Sequence, residues 1–145
     1  MHIERITHID ESYVTAFERL MPQLTGKDKY PTYDELKKII ESENVHLCFA
    51  FDDDDKIIGT ITVVIVRIPA GVKAWIEDVI VDEKARGKGV ATAMMWHALQ
   101  IARTQGVAKV DLTSHPERVA ANKLYQKLGF EKRESNVYRY YIDKK

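Results

Sequence analysis

"VDEKARGKGVATAMMWHALQIA", Val81 to Ala102, is the stretch that decides how this chain is read. It begins as the end of an apolar strand and finishes as an amphipathic helix. Val90, Met94, Ala98 and Ile101 make one stripe, with Ala91, Met95, Leu99 and Ala102 beside it, the spacing of a helix with one buried side. The join holds Gly87 and Gly89 interleaved with Arg86 and Lys88, and the first turn of the helix has no acidic residue. An ordinary helix start favours Asp or Glu there. Its first N–H groups lack internal partners, and the dipole leaves about half a positive charge at that end. A basic, glycine-rich start repels that dipole until an anion arrives. Glycine lets the anion approach the backbone closely, and phosphate is the natural one. The competing reading is a turn that merely reverses the chain.

Outward from this stretch the chain reads as alternating strands and helices. Upstream lie three apolar runs, 45–51, 57–68 and 74–81, joined by "DDDDK" and "PAGVK". Short turns between such runs predict an antiparallel meander. The four aspartates lack the glycine and distal glutamate of a calcium loop, so they read as a solvated hairpin tip. Before the meander, "HIERI" (2–6) predicts a strand. A helix runs from Asp10 to Gly26, with Tyr13, Val14, Phe17, Leu20, Met21 and Leu24 on its stripe. A second helix is capped by Thr32 with Glu35 three residues on, a capping box. It reaches about Ser42 and turns Leu36, Ile39 and Ile40 inward. Downstream, 107–114 predicts a strand, 117–129 a helix ended by Gly129, and "FEKRE" with "VYRYYID" (137–143) a final hairpin. The order is βααβββαβαββ, an α+β fold in a single domain, residues 1–145.

The bulk composition narrows the function classes. A chain of 145 residues suits one core. Lys+Arg and Asp+Glu are both 22, giving zero formal net charge, whereas a non-specific nucleic-acid binder is normally basic. The one cysteine, Cys48, lies in an apolar run and reads as a buried structural thiol. The five histidines show no metal-ligand spacing. "MHIERITHIDES" is too polar for a signal peptide, and no apolar run approaches the roughly 18 residues that span a bilayer. The expectation is a cytoplasmic protein with no nucleic-acid, membrane or metal partner.

Which phosphate would the loop take? "ARGKGVAT" does not supply G-x-x-x-x-G-K-[ST]. "GKGVAT" ends in Thr92 and follows an antiparallel meander, so the dinucleotide motif also fails. What fits is R-x-x-G-x-A, at Arg86, Gly89 and Ala91, which resembles the pyrophosphate signature of the GNAT superfamily of N-acetyltransferases. "AANKLYQKLGF" (120–130) is similar to that family's C-terminal segment, A-x-x-x-Y-x-x-x-G-F, at Ala121, Tyr125, Gly129 and Phe130.

The resemblance implies the GNAT fold: a mixed, mostly antiparallel sheet of six to seven strands flanked by four helices. It implies acetyl-CoA as cosubstrate, and acetyl transfer to a primary amine of a small molecule by direct attack. In that reading the backbone of Val79, Ile80 and Val81 pairs with the pantetheine arm. The amides of Arg86, Gly87, Lys88, Gly89, Val90, Ala91 and Thr92 hold the pyrophosphate. Asn122 touches the pantetheine or the acceptor, and Tyr125 is the general acid for the departing thiolate. Two other readings remain: an acyl-CoA-binding sensor without catalysis, and an acetyltransferase acting on a protein amine.

The base is a choice between Glu77 and Asp78. Strict strand alternation puts Glu77 on the face of Trp75, Val79 and Val81, and Asp78 on that of Ile76 and Ile80. A bulge, which this strand often carries in the family, would reverse the parity. Glu77 is favoured, with a structural salt bridge as its rival role. "WIEDVIVDEKARGKG" is also similar to glucosamine-6-phosphate N-acetyltransferases, with Trp75 where those commonly have histidine. His115, Arg118 and residues 25–33 are expected to frame the acceptor. Members of the family are often dimers, and "NVYRYYID" is the stretch expected to carry a homodimer contact.

Overall fold

The computed structural model describes residues 1–143, and the chain divides into two compact units, the first being Met1–Thr113 and the second beginning at Ser114. In the first unit a five-stranded sheet runs in the order β1 (His2–Arg5), β2 (Val45–Phe51), β3 (Ile57–Ile68), β4 (Gly71–Val81), β5 (Val110–Leu112). All neighbours are antiparallel except β4 and β5, which are parallel. Helices α1 (Glu11–Thr25) and α2 (Tyr33–Glu41) follow β1, and α3 (Val90–Thr104) lies between β4 and β5.

Local chemistry accounts for the boundaries. Asp10 caps α1 by accepting from the Ser12 amide, and Gly26 ends it at φ 71°. Thr32 and Glu35 form the expected capping box on α2. Asp52 folds the β2–β3 tip by accepting from the amides of Asp54 and Lys56, each at 2.9 Å. Four aspartates there are therefore a turn in water.

Each face of the sheet is covered. On one side Phe17, Leu20, Leu36 and Ile40 from the two leading helices pack on Leu47, Phe49, Ile57 and Ile80. Leu20 and Leu36 are fully buried, each contributing about 2 kcal/mol relative to exposure. On the other side α3 packs on β3 and β4 through Val90, Met94, Met95, Ala98 and Ala102, all buried. Gly59 on β3 makes this approach possible. A Cβ there would stand 3.1 Å from the Ile80 carbonyl oxygen and 3.1 Å from Met94 Sδ. Cys48 is fully buried, and burial pushes its thiol up to about 12, so it is inert packing.

The second unit holds α4 (Val119–Lys127), closed by Gly129 at φ 105°. The expected terminal hairpin does not form. Residues 130–141 carry no strand, so the sheet has five strands where six to seven were expected. Strand propensity in "VYRYYI" is real, but a strand needs a ladder partner, and propensity alone does not provide one. A smaller correction concerns Ile39, which is exposed at the rim of α2 while Leu36 and Ile40 are buried.

Candidate functional site

β4 is the organising element. Its parallel pairing with β5 covers only Ala74, Trp75 and Ile76. From Glu77 to Val81 the strand has β3 on one side and no strand on the other among the described residues. Backbone groups along this edge are available to an extended ligand, which can join as an added strand.

A bulge sits in the same stretch. Thr60 pairs with Ile80 and Thr62 with Glu77, so Ile61 alone opposes both Asp78 and Val79. Asp78 absorbs the extra residue at φ 48°, in the left-handed region that Asp tolerates better than most side chains. The consequence is a change of parity. Glu77 stands across from Thr62, which stands across from Leu47, so it shares the α1–α2 face with the buried Ile80. The unbulged alternation, grouping Glu77 with Val79 and Val81 and Asp78 with Ile80, is therefore corrected.

Glu77 and Asp78 are both solvent-exposed and neither makes an ion pair among the described residues. Partial burial raises the pKa of Glu77, and the neighbouring Asp78 charge raises it further. Burial also raises that of Asp78. Accessible side chains can still be partly desolvated when they sit against a wall of protein, and two adjacent carboxyls at a bulge are in that position.

β4 leads through a 3-10 turn, Glu83–Ala85, into the basic loop. Gly87 and Gly89 take φ 78° and 80°, which turns the loop into the start of α3. Gly89 is the N-cap, with no side-chain cap and no acid in the first turn. The first hydrogen bond of α3 runs from the Ala93 amide to the Gly89 carbonyl at 3.1 Å, and the amides of Gly89, Val90, Ala91 and Thr92 have no protein acceptor among the described residues. They border a cavity of about 170 Å³, lined by Val81, Ala85, Arg86 and Gly87 as well. The sequence pattern thus becomes an acceptorless nest of amides opening on a small basic cavity, suited to an anion. Arg86 donates from Nε to the Val81 carbonyl at 3.1 Å, so it also braces the loop against the strand.

A family model for the acetyltransferase (GNAT) family matches residues 9–130, most of the chain. The chain belongs to the GNAT acetyltransferase family. Among curated relatives, this GNAT chain is 34% identical over 88 residues to N-acetyltransferase 8B of Homo sapiens, covering 59% of this chain and 39% of that protein. It is 28% identical over 139 residues to the glucosamine 6-phosphate N-acetyltransferase of Trypanosoma brucei brucei, 94% of this chain and 84% of the relative. It therefore spans about two fifths of the human relative and most of the trypanosomal one. Its fold matches an aminoglycoside acetyltransferase from a soil metagenome with a TM-score of 0.85 at 21% identity, covering 99% and 96% of the two chains. The glucosamine-6-phosphate N-acetyltransferase of Arabidopsis thaliana matches at 0.79 and 23% identity, with 97% of each chain covered.

Two of the expected site residues, Tyr125 and Asn122, lie in the second unit. Tyr125 is buried, tilted against Phe130 with ring centroids 6.1 Å apart, and burial raises its pKa so that it stays protonated. Its hydroxyl has no hydrogen-bond partner among the described residues. Asn122 donates from Nδ2 to the carbonyls of His115 (2.9 Å) and Arg118 (2.8 Å), bracing the loop before α4. Its amide nitrogen is occupied, which leaves only Oδ1 for a ligand.

Sequence reasoning missed one GNAT-loop device. Asp82, buried at the end of β4, pairs with Arg19 of α1 and accepts from the Lys84 amide at 3.3 Å. Arg19 also donates to the Ile57 carbonyl at 2.8 Å, and Gln23 accepts from the Glu83 amide at 2.9 Å. The clamp had a faint signal: Arg19 and Gln23 are four apart, one turn on the same side of α1. Their partners are some sixty residues away, which no local pattern reveals. Among the described residues no cluster able to hold a metal is found, and no helix is long and apolar enough to cross a membrane.

Proposed function

We propose that the chain transfers the acetyl group of acetyl-CoA to a primary amine of a small molecule. The observation that carries this reading is the unpaired edge of β4 from Glu77 to Val81, running straight into the acceptorless amides of Gly89–Thr92. One extended ligand, with a chain that accepts strand-like hydrogen bonds and a diphosphate at its end, satisfies both. Acetyl-CoA is such a molecule. In this reading the backbone of Val79, Ile80 and Val81 takes the pantetheine arm. The Ile80 side chain is buried in the core, so it contributes through its main chain alone. The loop from Arg86 to Thr92 takes the pyrophosphate.

The chemistry assigned to the side chains balances without a covalent enzyme intermediate. Glu77, directly or through water, removes a proton from the acceptor ammonium, whose pKa near 10 leaves it charged at neutral pH. The freed amine attacks the thioester carbonyl carbon. A backbone N–H of Val79–Val81 meets the developing oxyanion. The C–S bond breaks, the thiolate takes a proton from the Tyr125 hydroxyl, and the nitrogen of the new amide gives up its second proton, which returns through solvent to the tyrosinate. Exposed, unpaired Glu77 and Asp78 favour an acceptor that arrives as a cation.

Isothermal calorimetry with acetyl-CoA, followed by thiol release across a panel of amines, tests the reading. Binding together with acceptor-dependent thiol release is expected. Binding without release from any small amine would replace it with an acyl-CoA sensor or a protein-directed enzyme, and no binding would remove it altogether.

A further inference from the structure

Each face of the sheet is covered, but not to the same extent. On the α3 side Ile61, Val63, Ile65, Ala74 and Ile76 are all buried. The opposite side is closed where α1 and α2 lie, over Leu47, Phe49, Ile57 and Ile80. Further along that side come the paired Val45 and Val64, then Thr62 and Val66, and none of the four is fully buried. The sheet therefore has an open, mostly apolar shelf beside the two helices.

Register puts three side chains of β4 on this shelf. Lys73 stands across from Val66, Trp75 from Val64 and Glu77 from Thr62. The pairing is regular through this stretch, and the bulge begins only after Glu77, so the three fall on one face in the order Lys, Trp, Glu. Lys73 and Trp75 are half-buried and Glu77 is exposed. Lys73 Nζ lies 6.0 Å from the centre of the Trp75 ring, and neither Lys73 nor Glu77 makes an ion pair among the described residues.

The row has a definite complement. Lys73 and Glu77 are four residues apart, roughly 13 Å along the strand, too far for their charges to neutralise each other. An indole left partly in water between them offers apolar area and a ring face to a ligand. A simple amine would meet Glu77 and leave Lys73 without an anion. A molecule with a cation at one end and an anion at the other satisfies both charges and covers the ring between them.

We propose that this shelf is the acceptor site and that the acceptor is amphoteric: its primary amine meets Glu77, a flat apolar body lies against Trp75, and an anionic group meets Lys73. The proposal rests on the reading of Glu77 as the group that takes the amine's proton, and it adds selection at the end remote from the chemistry.

Three amines separate the parts: para-(aminoethyl)benzoate carries amine, ring and carboxylate, phenethylamine lacks the carboxylate, and aminohexanoate lacks the ring. In thiol release with acetyl-CoA, para-(aminoethyl)benzoate is expected to have a kcat/KM about tenfold or more above either of the others. Lys73→Met should bring its ratio over phenethylamine close to one, and Lys73→Glu should take that ratio below one. Trp75→Leu should collapse its ratio over aminohexanoate. Far-UV circular dichroism and acetyl-CoA calorimetry check the fold and the cosubstrate site of each variant. Equal kcat/KM for the three amines, or ratios that survive the substitutions, would overturn the proposal and leave acetyl transfer standing. Fluorescence reads the converse case without turnover, because Trp96→Phe leaves Trp75 as the one tryptophan. Titration of that variant with para-(aminoethyl)benzoate, with and without coenzyme A, should change its emission saturably, with a Kd about tenfold weaker once Lys73→Met is added. This result without thiol release would support the ligand assignment and remove the acetyl-transfer reading alone. Neither turnover nor a saturable change would overturn both.

Discussion

Asp78 at φ 48° is the residue on which the site's side-chain geometry turns. Without its bulge, Glu77 and Ile80 would fall on opposite faces of β4; with it, Ile80 packs the core on the same face as Glu77. In our reading Glu77 must be ionised to accept a proton, and both its partial burial and the Asp78 charge raise its pKa. Activity should therefore fall as pH drops through that raised value. Asp78→Asn, which tolerates the same backbone, should move the acid limb of the kcat/KM profile to lower pH, while Glu77→Gln should remove the limb and lower turnover about 100-fold. A limb in the same place in both variants would assign the base to another group. Tyr125 is held protonated by burial, so Tyr125→Phe should lower kcat about tenfold or more and leave KM for acetyl-CoA nearly unchanged. An equal loss in both parameters would indicate packing against Phe130 as its role.

The loop and α3 act as an element, and two changes probe them. Gly89 has open space where a Cβ would go, so Gly89→Glu meets no neighbour. Its cost is backbone strain of about 1–2 kcal/mol at φ 80°, plus, in our reading, a negative charge set against the incoming diphosphate. Calorimetry should show acetyl-CoA binding abolished in Gly89→Glu and largely kept in Gly89→Asn. The clamp from α1 is the second probe. Burial opposes ionisation of Asp82, but the Lys84 amide, the Arg19 guanidinium and Gln23 outweigh it, so its pKa lies below the ordinary value. A depressed carboxylate stabilises the fold above its unfolded pKa, near 4, and that stability is lost as pH falls through the folded value. Asp82→Ala should cost about 2 kcal/mol by urea denaturation at neutral pH, less than a fully buried pair because Arg19 is one-third exposed. The difference from wild type should shrink below pH 4.

At the scale of the whole molecule, stability and ligand should be linked. A ligand that needs both the β4 edge and the loop binds only the folded state. At a hundredfold excess over Kd, acetyl-CoA should add about 2.7 kcal/mol, seen by scanning calorimetry as a rise of several degrees in Tm. An unchanged Tm would mean that the ligand has no such site. Much of this architecture was legible in the sequence. The runs 45–51 and 57–68 became β2 and β3 with the expected bounds, and Thr32 with Glu35 became a capping box as read. Those features are local: periodicity, caps and turn residues act within one turn or one hairpin. The basic start of α3 belongs with them, because its oddity lies in which residues are absent from a single turn.

What the sequence determined by itself was the element order of the first unit, the glycine-rich, acid-free start of α3 and the family. Only the tertiary structure decided three further matters: which face Glu77 shares, that Arg19 and Gln23 hold Asp82 and Glu83, and that "VYRYYI" carries no strand among the described residues. The physical reason is common to all three. A bulge is an offset between two strands, a clamp joins residues some sixty positions apart, and a strand exists only against a neighbour, so each is a property of pairs that no single stretch of chain contains.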